Sequence, residues 1–116
     1  MKFLFVLNDA PYGSERAYNG LRLAGALAKP DTSVVRVFLM GDAVACAKRN
    51  QKVPGGYYNI ENMLGAVVRH RGEVGVCGTC MDARGIAVEE LTEGATRSTL
   101  DELTRWTIDA DKVLVF

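Results

Sequence analysis

Two cysteines separated by two residues form the most specific chemical pattern in the sequence. Cys77 and Cys80 make a C-x-x-C motif that directly follows a short apolar run. The pattern predicts that Cys77 ends a strand and that Cys80 lies in the first turn of a helix. Unpaired backbone N–H groups and the positive end of a helix dipole both stabilise a thiolate. We therefore predict a nucleophilic Cys77, with Cys80 placed to attack a disulfide or persulfide formed on it.

Gly78, Thr79 and Arg84 are the supporting candidates around this pair. The N–H groups that follow Gly78 and the positive charge of Arg84 are expected to stabilise the anionic sulfur of Cys77. An alternative interpretation is that both cysteines are small buried apolar residues, since free cysteine is among the most buried residue types. The spacing and the position at a strand end favour the reactive interpretation.

Two other cysteine chemistries fit the motif less well. Structural zinc usually takes four Cys or His ligands, and the chain contains three Cys and one His. His70 is expected to be a cation at a helix C-terminus, and Cys46, in an alanine-rich segment, is expected in the core. A thioredoxin-type oxidoreductase is disfavoured because the motif follows the third predicted strand and no proline-led strand lies opposite it.

The turn before the first predicted helix is a second candidate site. Residues 12–16 read Y-G-S-E-R, and a helix start at this point presents free N–H groups to an anion. Tyr12 and Ser14 are therefore candidate binding residues, although a plain N-cap is the favoured interpretation of Ser14. The phosphate-binding glycine motifs of nucleotide sites do not occur in the sequence.

Composition restricts the classes of protein to which the chain can belong. It has 116 residues with 14 Lys+Arg and 14 Asp+Glu, which predicts one domain over 1–116 and argues against direct nucleic-acid binding. The apolar run at 3–7 is shorter than the ~7–15 residues of a signal peptide or the ~20 of a membrane span. We expect a cytoplasmic protein with no membrane partner, in which three cysteines do not form a disulfide framework.

Apolar patterning predicts strands that alternate with helices along the whole chain. A continuous apolar run at 2–7 predicts a strand covered on both faces, and further strands are predicted over 34–39, 73–76, 95–97 and 112–116. Spacings of three and four predict helices from the Ser14 cap to Pro30, and over 60–71 with glycine termination at Gly72. A third is predicted from a Thr99–Glu102 capping box to about residue 109. Short helical segments are predicted after Gly41 and at 87–91.

Alternation of this kind implies right-handed βαβ units and an α/β fold with a parallel sheet between helix layers. Chemistry in such sheets collects beyond the carboxyl ends of the strands, where the sequence has residues 8–13, 40–42 and 77–80. The segment 49–58 lacks periodicity and predicts a mobile loop. A solvated loop is the favoured interpretation of its basic start at 49–52. If the segment is functional, we expect it to be a basic lid near Cys77 that limits the access of water.

Four segments carry a resemblance to a known family. They are P-Y-G-S-E-R-A-Y-N at 11–19, M-G-D-A-V at 40–44, V-C-G-T-C-M-D-A-R-G-I at 76–86 and D-A-D-K-V-L-V-F at 109–116. Through them the chain resembles the DsrE/DsrF-like family of sulfur-relay proteins over nearly its whole length. The cysteine segment followed by A-R-G is the most specific of the four.

The resemblance implies a three-layer α/β sandwich with a five-stranded, mostly parallel sheet, assembled into homo-oligomers as trimers or hexamers. It further implies that the cysteine matching Cys77 accepts sulfur as a persulfide and passes it to the next carrier, without a cofactor. Members of the family act in tRNA thiolation or in dissimilatory sulfur oxidation. Cys80 is a departure, since the relay mechanism does not require it.

Three functions are therefore in competition. The first is a sulfurtransferase-like carrier that receives sulfur on Cys77 from a donor protein and relays it to an acceptor thiol. The second is a thiol redox or redox-sensing protein that uses the Cys77–Cys80 pair. The third is a non-catalytic oligomeric binding module, in which the turn at Tyr12 and Ser14 holds a small anion or a protein tail.

Overall fold

The computed structural model describes residues 1–116 and contains five strands and four α-helices. The strands are β1 (Lys2–Leu7), β2 (Val34–Leu39), β3 (Glu73–Cys77), β4 (Ala95–Ser98) and β5 (Lys112–Val115). The α-helices are α1 (Arg16–Ala28), α2 (Ile60–Arg69), α3 (Gly78–Ala83) and α4 (Leu100–Asp109), and 3-10 helices span Gly41–Ala47 and Val88–Glu90. Each element corresponds to a predicted one, and where bounds were predicted the ends differ by at most two residues.

The five strands form one sheet in the order β4-β3-β2-β1-β5, and every neighbouring pair is parallel. The chain moves from β1 to β4 in one direction and then returns across the sheet to β5. Because such crossovers are right-handed, the return connection lies on the opposite face from the earlier ones. The predicted α/β sandwich is confirmed, and the sheet is parallel throughout.

Alternation along β1 divides the core between the two faces of the sheet. Phe5 and Leu7 belong to the larger cluster, which packs against α1, α2 and the first 3-10 helix. Leu4 and Val6 point the other way and form a smaller cluster with Phe38 and Trp106. A single helix, α4, supplies Trp106 and therefore covers the smaller cluster.

The start of α1 differs from the prediction at Ser14. The helix begins at Arg16, and its N-cap residue is Glu15, without a side-chain capping bond. The Ser14 hydroxyl donates to the Asp9 carboxylate at 2.8 Å, while the Arg16 N–H lies 3.5 Å from the Ser14 oxygen. The prediction of Ser14 as the N-cap is wrong by one residue: Ser14 precedes Glu15, and its hydroxyl donates to Asp9 while its oxygen accepts a long bond from the Arg16 N–H.

The end of α2 differs from the prediction at the glycine. The residue in the left-handed region is Arg71, with φ of 67°. Arg71 N–H donates to Val68 and Gly72 N–H donates to Val67, each at 2.9 Å, which is the Schellman pattern. Gly72 thus follows the left-handed position, and a Cβ there would collide with the backbone oxygen of Val67 at 2.8 Å.

The predicted capping box of α4 forms only in part. Thr99 accepts a hydrogen bond from the Glu102 N–H at 3.2 Å, while the Glu102 carboxylate accepts from the Ser98 hydroxyl. The cap therefore connects the end of β4 to the first turn of α4. None of the helices has the length and apolar character required to cross a membrane.

Candidate functional site

Three strand ends meet beside the C-x-x-C motif. Cys77 is the last residue of β3, and it lies in register with Ser98, the last residue of β4. Met40 follows the end of β2. Because parallel strands end at the same edge, these residues form one rim, and α3 and α4 both begin on it.

A cavity of about 470 Å³ opens at this rim. Both cysteines of the motif line it, together with Gly78 and Thr79 between them. Apolar side chains and the end of β4 supply the remaining wall: Phe38, Met40, Arg97, Ser98, Thr99, Leu100 and Leu103. Arg97 is the one charged residue among the lining residues, so the cavity combines two thiols, an apolar wall and a cation.

The sulfur of Cys77 receives hydrogen bonds from the start of α3. The Cys80 N–H donates to Cys77 Sγ at 3.4 Å, so that Cys77 acts as the N-cap of the helix through its side chain. Thr79 Oγ1 lies 3.4 Å from the same sulfur. The predicted strand-to-helix placement of the two cysteines is therefore present in the structure.

These contacts separate the acidities of the two thiols. Partial burial on its own would raise the pKa of Cys77, but hydrogen bonds from the Cys80 and Thr79 side chains and backbone outweigh it and lower that pKa. Burial raises the pKa of Cys80, and its hydrogen bond to Cys77 raises it further. Cys77 is consequently the thiol that ionises first, and Cys80 keeps its proton as a donor.

Removing the Thr79 hydroxyl should move the ionisation of Cys77 to higher pH. In Thr79→Val we expect the alkylation rate of Cys77 to fall by about threefold on the acidic side of its pH–rate profile, the scale of one hydrogen bond. The midpoint of the profile should shift upward. Thr79→Ser keeps the hydroxyl and is the matched control. If the pH–rate profile of Thr79→Val superposed on that of wild type, the Thr79 hydroxyl would not be one of the groups that lower the pKa of Cys77.

Arg84 does not lie where the sequence predicts. Its guanidinium pairs with Asp42 at 3.0 and 3.1 Å and donates to the Cys80 carbonyl at 3.1 Å. It is not among the residues that line the cavity, and its charge acts on the pKa of Cys80. The expectation of Arg84 as the cation beside Cys77 is corrected, because the C-terminus of α3 points it toward Asp42.

Arg97 is the cation that the sequence reasoning missed. It lies on β4. The ion pair with Asp82 raises the pKa of Arg97, burial opposes that rise, and the negative charge of Cys77 adds to it. A Cβ on Gly78 would lie 2.7 Å from both Cζ and Nε of Arg97, so the absence of a side chain at Gly78 admits the guanidinium. The available signal was its position at the carboxyl end of a predicted strand in the same sheet.

Tyr12 and Ser14 lie apart from the cavity. The Tyr12 hydroxyl donates to Gln51 Oε1 at 2.6 Å and accepts from the Ile60 N–H at 3.1 Å. These contacts tie the turn before α1 to the start of α2. With Asp9 bonded to Ser14 and 3.9 Å from Arg16, a carboxylate of the chain already occupies the turn that was predicted to hold an anion.

The segment 49–58 does not cover Cys77. None of its residues lines the cavity. Gln51 anchors it through bonds from its side-chain amide to the Cys46 and Lys48 carbonyls, each at 2.9 Å. Tyr58 stacks on Tyr12 and Tyr18, with ring centroids 5.9 and 4.2 Å apart. The expected lid is therefore wrong, because these contacts hold the segment against α1 and α2.

The third cysteine belongs to the core. Cys46 has 0% exposure, and burial raises the pKa of its thiol to about 12. It is chemically separate from the C-x-x-C pair. Groups of three or more Cys, His, Asp and Glu side chains that could hold a metal ion do not occur in the structure.

Comparison with known proteins identifies the family. The model of the DsrE/DsrF-like family matches residues 1–116. The chain belongs to the DsrE/DsrF-like family. Protein YchN of Escherichia coli (strain K12) is 47% identical over 116 residues, covering 99% of this chain and 98% of YchN. The uncharacterized protein MJ0989 of Methanocaldococcus jannaschii is 39% identical over 121 aligned residues, covering 100% of both chains.

Solved structures agree with this DsrE/DsrF-like assignment. The crystal structure of YchN from E. coli has a TM-score of 0.92 at 47% identity and covers 99% of this chain and 98% of its own. MTH1491 from Methanobacterium thermoautotrophicum, a protein of unknown function, has a TM-score of 0.74 at 13% identity and covers 99% and 98%. At that identity it shows the shared fold alone. The resemblance stated from the four sequence segments is therefore confirmed.

Proposed function

We propose that this DsrE/DsrF-like protein is a sulfurtransferase-like sulfur carrier that holds a persulfide on Cys77. The observation that carries the proposal is the Cys77 sulfur itself, half-buried at a cavity and bonded to Cys80 and Thr79 donors that lower its pKa. The thiolate is the nucleophilic form of cysteine. Cys77 therefore combines access from solvent with stabilisation of its anion.

The proposed transfer conserves both atoms and electrons. The Cys77 thiolate attacks the outer sulfur of a donor persulfide R–S–SH, forming Cys77–S–SH and releasing the donor as R–S⁻. An acceptor thiolate R′–S⁻ then attacks the same outer sulfur, giving R′–S–SH and regenerating the Cys77 thiolate. Sulfane sulfur changes carrier in both steps, so no external oxidant or reductant is needed.

The protonated state of Cys80 supports a carrier over a redox pair. Attack of Cys80 on a Cys77 persulfide would form the Cys77–Cys80 disulfide and release hydrogen sulfide. Burial and the hydrogen bond to Cys77 raise the pKa of Cys80, and a protonated thiol is a poor nucleophile. A persulfide on Cys77 should thus survive long enough to meet an acceptor.

Intact-mass analysis after incubation with polysulfide tests the proposal directly. Wild-type protein should gain about 32 Da, one sulfur atom, and Cys77→Ser should gain none, since serine cannot form a persulfide. Cys80→Ser keeps a donor at residue 80 and should retain the gain. Sulfur uptake by Cys77→Ser equal to that of wild type would refute the proposed role of Cys77.

The redox function is the second candidate, since the Cys80 backbone N–H donates to Cys77 Sγ and both thiols line one cavity. It predicts that mild oxidant removes about 2 Da from the intact mass as the two thiols become a disulfide. Loss of sulfur uptake in both single variants, together with this disulfide, would favour it over the carrier.

A further inference from the structure

We infer that the cavity beside Cys77 selects anionic organosulfur compounds, pairing their negative charge with Arg97 and their carbon skeleton with the apolar wall. The inference deepens the proposed carrier function by naming the chemical class of the small-molecule sulfur donor or acceptor. It depends on that function for the sulfur transfer, whereas the preference for negative charge is a property of the cavity that can be measured separately.

Arg97 is held in a fixed orientation at the cavity. Its two terminal nitrogens bond to the two carboxylate oxygens of Asp82 at 2.8 and 2.9 Å. A guanidinium has five N–H donors, and these two bonds are the only ones the side chain makes within the chain. The remaining donors, including that on Nε, are available to a ligand.

The surroundings of Arg97 place those donors next to the reactive sulfur. The guanidinium lies over Gly78, the residue that follows Cys77, and a Cβ there would be 2.7 Å from Nε. Asp82, its ion-pair partner, is not a lining residue. A charged compound in the cavity therefore meets the cation and not the carboxylate that orients it.

The apolar part of the lining suits a carbon skeleton. Phe38, Leu100 and Leu103 line the cavity together with Met40. A volume of about 470 Å³ falls in the range of small-ligand pockets, which are mostly apolar with a few polar groups that set orientation. The combination fits a small thiol or persulfide that bears a carboxylate or similar anion.

Alkylation by a matched pair of reagents measures this selectivity. Iodoacetate and iodoacetamide attack the same Cys77 thiolate and differ in charge, so a change in the pKa of Cys77 cancels in the ratio of their rates. In Arg97→Met the iodoacetate-to-iodoacetamide ratio should fall roughly two- to fivefold relative to wild type, the range expected of a partly exposed ion pair. Arg97→Lys keeps the charge and should retain most of the ratio.

Arg84→Met is the control, because it removes the same charge from a residue outside the cavity. Its ratio should equal that of wild type. The modified cysteine is assigned by fragmentation of the tryptic peptide that contains both thiols of the motif, which spans 72–84 in wild type and in the Arg97 variants and 72–97 in Arg84→Met. Equal ratios in wild type and Arg97→Met, or equal losses in the Arg97 and Arg84 variants, would overturn the inference.

Protection by added acids tests the apolar wall. Benzoate at constant ionic strength should slow the alkylation of Cys77 by iodoacetamide more than acetate or benzamide does, since it alone combines the anion with an apolar ring. Equal effects of the three probes would overturn the proposed fit. Neither of these experiments measures sulfur uptake, so the two proposals can fail separately. Charge selectivity without persulfide formation would refute the carrier function alone. Persulfide formation without charge selectivity would refute this inference alone.

Discussion

Replacing Trp106 by alanine should lower the free energy of unfolding by about 3–5 kcal/mol, the cost of deleting a buried aromatic side chain. Trp106 is 8% exposed and packs edge-on against Phe38, with ring centroids 6.1 Å apart. Gly75 leaves room for it, since a Cβ there would lie 3.2 Å from the indole ring. Its face of the sheet is covered by one helix, so no second element can close over the cavity that results.

Ile108→Ala on the same helix is the matched control for this variant. Ile108 is 80% exposed, and its truncation should change stability by less than about 0.5 kcal/mol. Urea unfolding followed by circular dichroism measures both. A loss in Trp106→Ala as small as that in Ile108→Ala would mean that α4 is not held by this contact.

Trp106→Ala should also affect the cavity beside Cys77, because Trp106 packs against Phe38. This side chain belongs to the cluster around Trp106 and also lines the cavity beside Cys77. The stability of the smaller core and the shape of the cavity wall therefore depend on one aromatic contact. The Phe38–Trp106 pair thus connects the smaller core with the cavity beside Cys77.

The elements of the fold could be predicted because their patterns are local. The buried strand at the N-terminus is a continuous apolar run, and α2 has its buried Ile60, Leu64 and Val67 at the spacing of one helix face. Strand–helix alternation and the right-handed crossover then restrict the sheet to parallel pairs. Cys77 was predicted correctly at the end of a strand for the same reason, since the apolar run stops at it.

The cation of the site could not be predicted because its contact is not local. Arg84 lies seven residues after Cys77, whereas Arg97 lies twenty residues after it. Proximity in the sequence therefore favours Arg84 as the cation beside Cys77. The structure reverses that order because β4 pairs with β3 in parallel and sets Ser98 beside Cys77. Only this register, which no local pattern encodes, brings the guanidinium of Arg97 over Gly78.

The turn at Tyr12 and Ser14 could not be interpreted for a similar reason. Its residue types suit both a helix cap and an anion site. In the structure Ser14 bonds to the carboxylate of Asp9 and Tyr12 bonds to the side chain of Gln51, which gives both residues structural roles. These contacts form only in the folded chain. Turn chemistry therefore predicted where the helix begins within two residues, but not what its first polar groups would bind.

Raising the pH above 9 should destabilise the fold through Cys46, by about 4 kcal/mol at the limit near pH 12. The ordinary pKa of 9.0 describes the unfolded thiol, and burial raises the pKa of the folded thiol to about 12. Below pH 9 both states hold the proton and the stabilising contribution is complete. Between the two values only the unfolded state ionises, so stability falls by about 1.4 kcal/mol per pH unit.

Cys46→Ala isolates this contribution from other groups that titrate at alkaline pH. Near pH 7 the variant should be less stable than wild type by about 1 kcal/mol, the scale of a small deletion in the core. By pH 10.5 the wild-type protein should have lost about 2 kcal/mol through Cys46, so the order of stabilities should reverse. Urea unfolding of both proteins at pH 7, 9 and 10.5 measures the crossing.

The thiols of the site do not produce the same crossing. The lowered pKa of Cys77 acts in the opposite sense, adding stability as the pH rises from its folded value to its unfolded value and remaining constant above it. Cys80 has a raised pKa but is only half-buried, so Cys80→Ser should change the alkaline slope less than Cys46→Ala does. A constant difference between wild type and Cys46→Ala from pH 7 to 10.5 would contradict a buried neutral Cys46. A crossing confined to Cys46→Ala would instead separate the structural cysteine from the two that face the cavity.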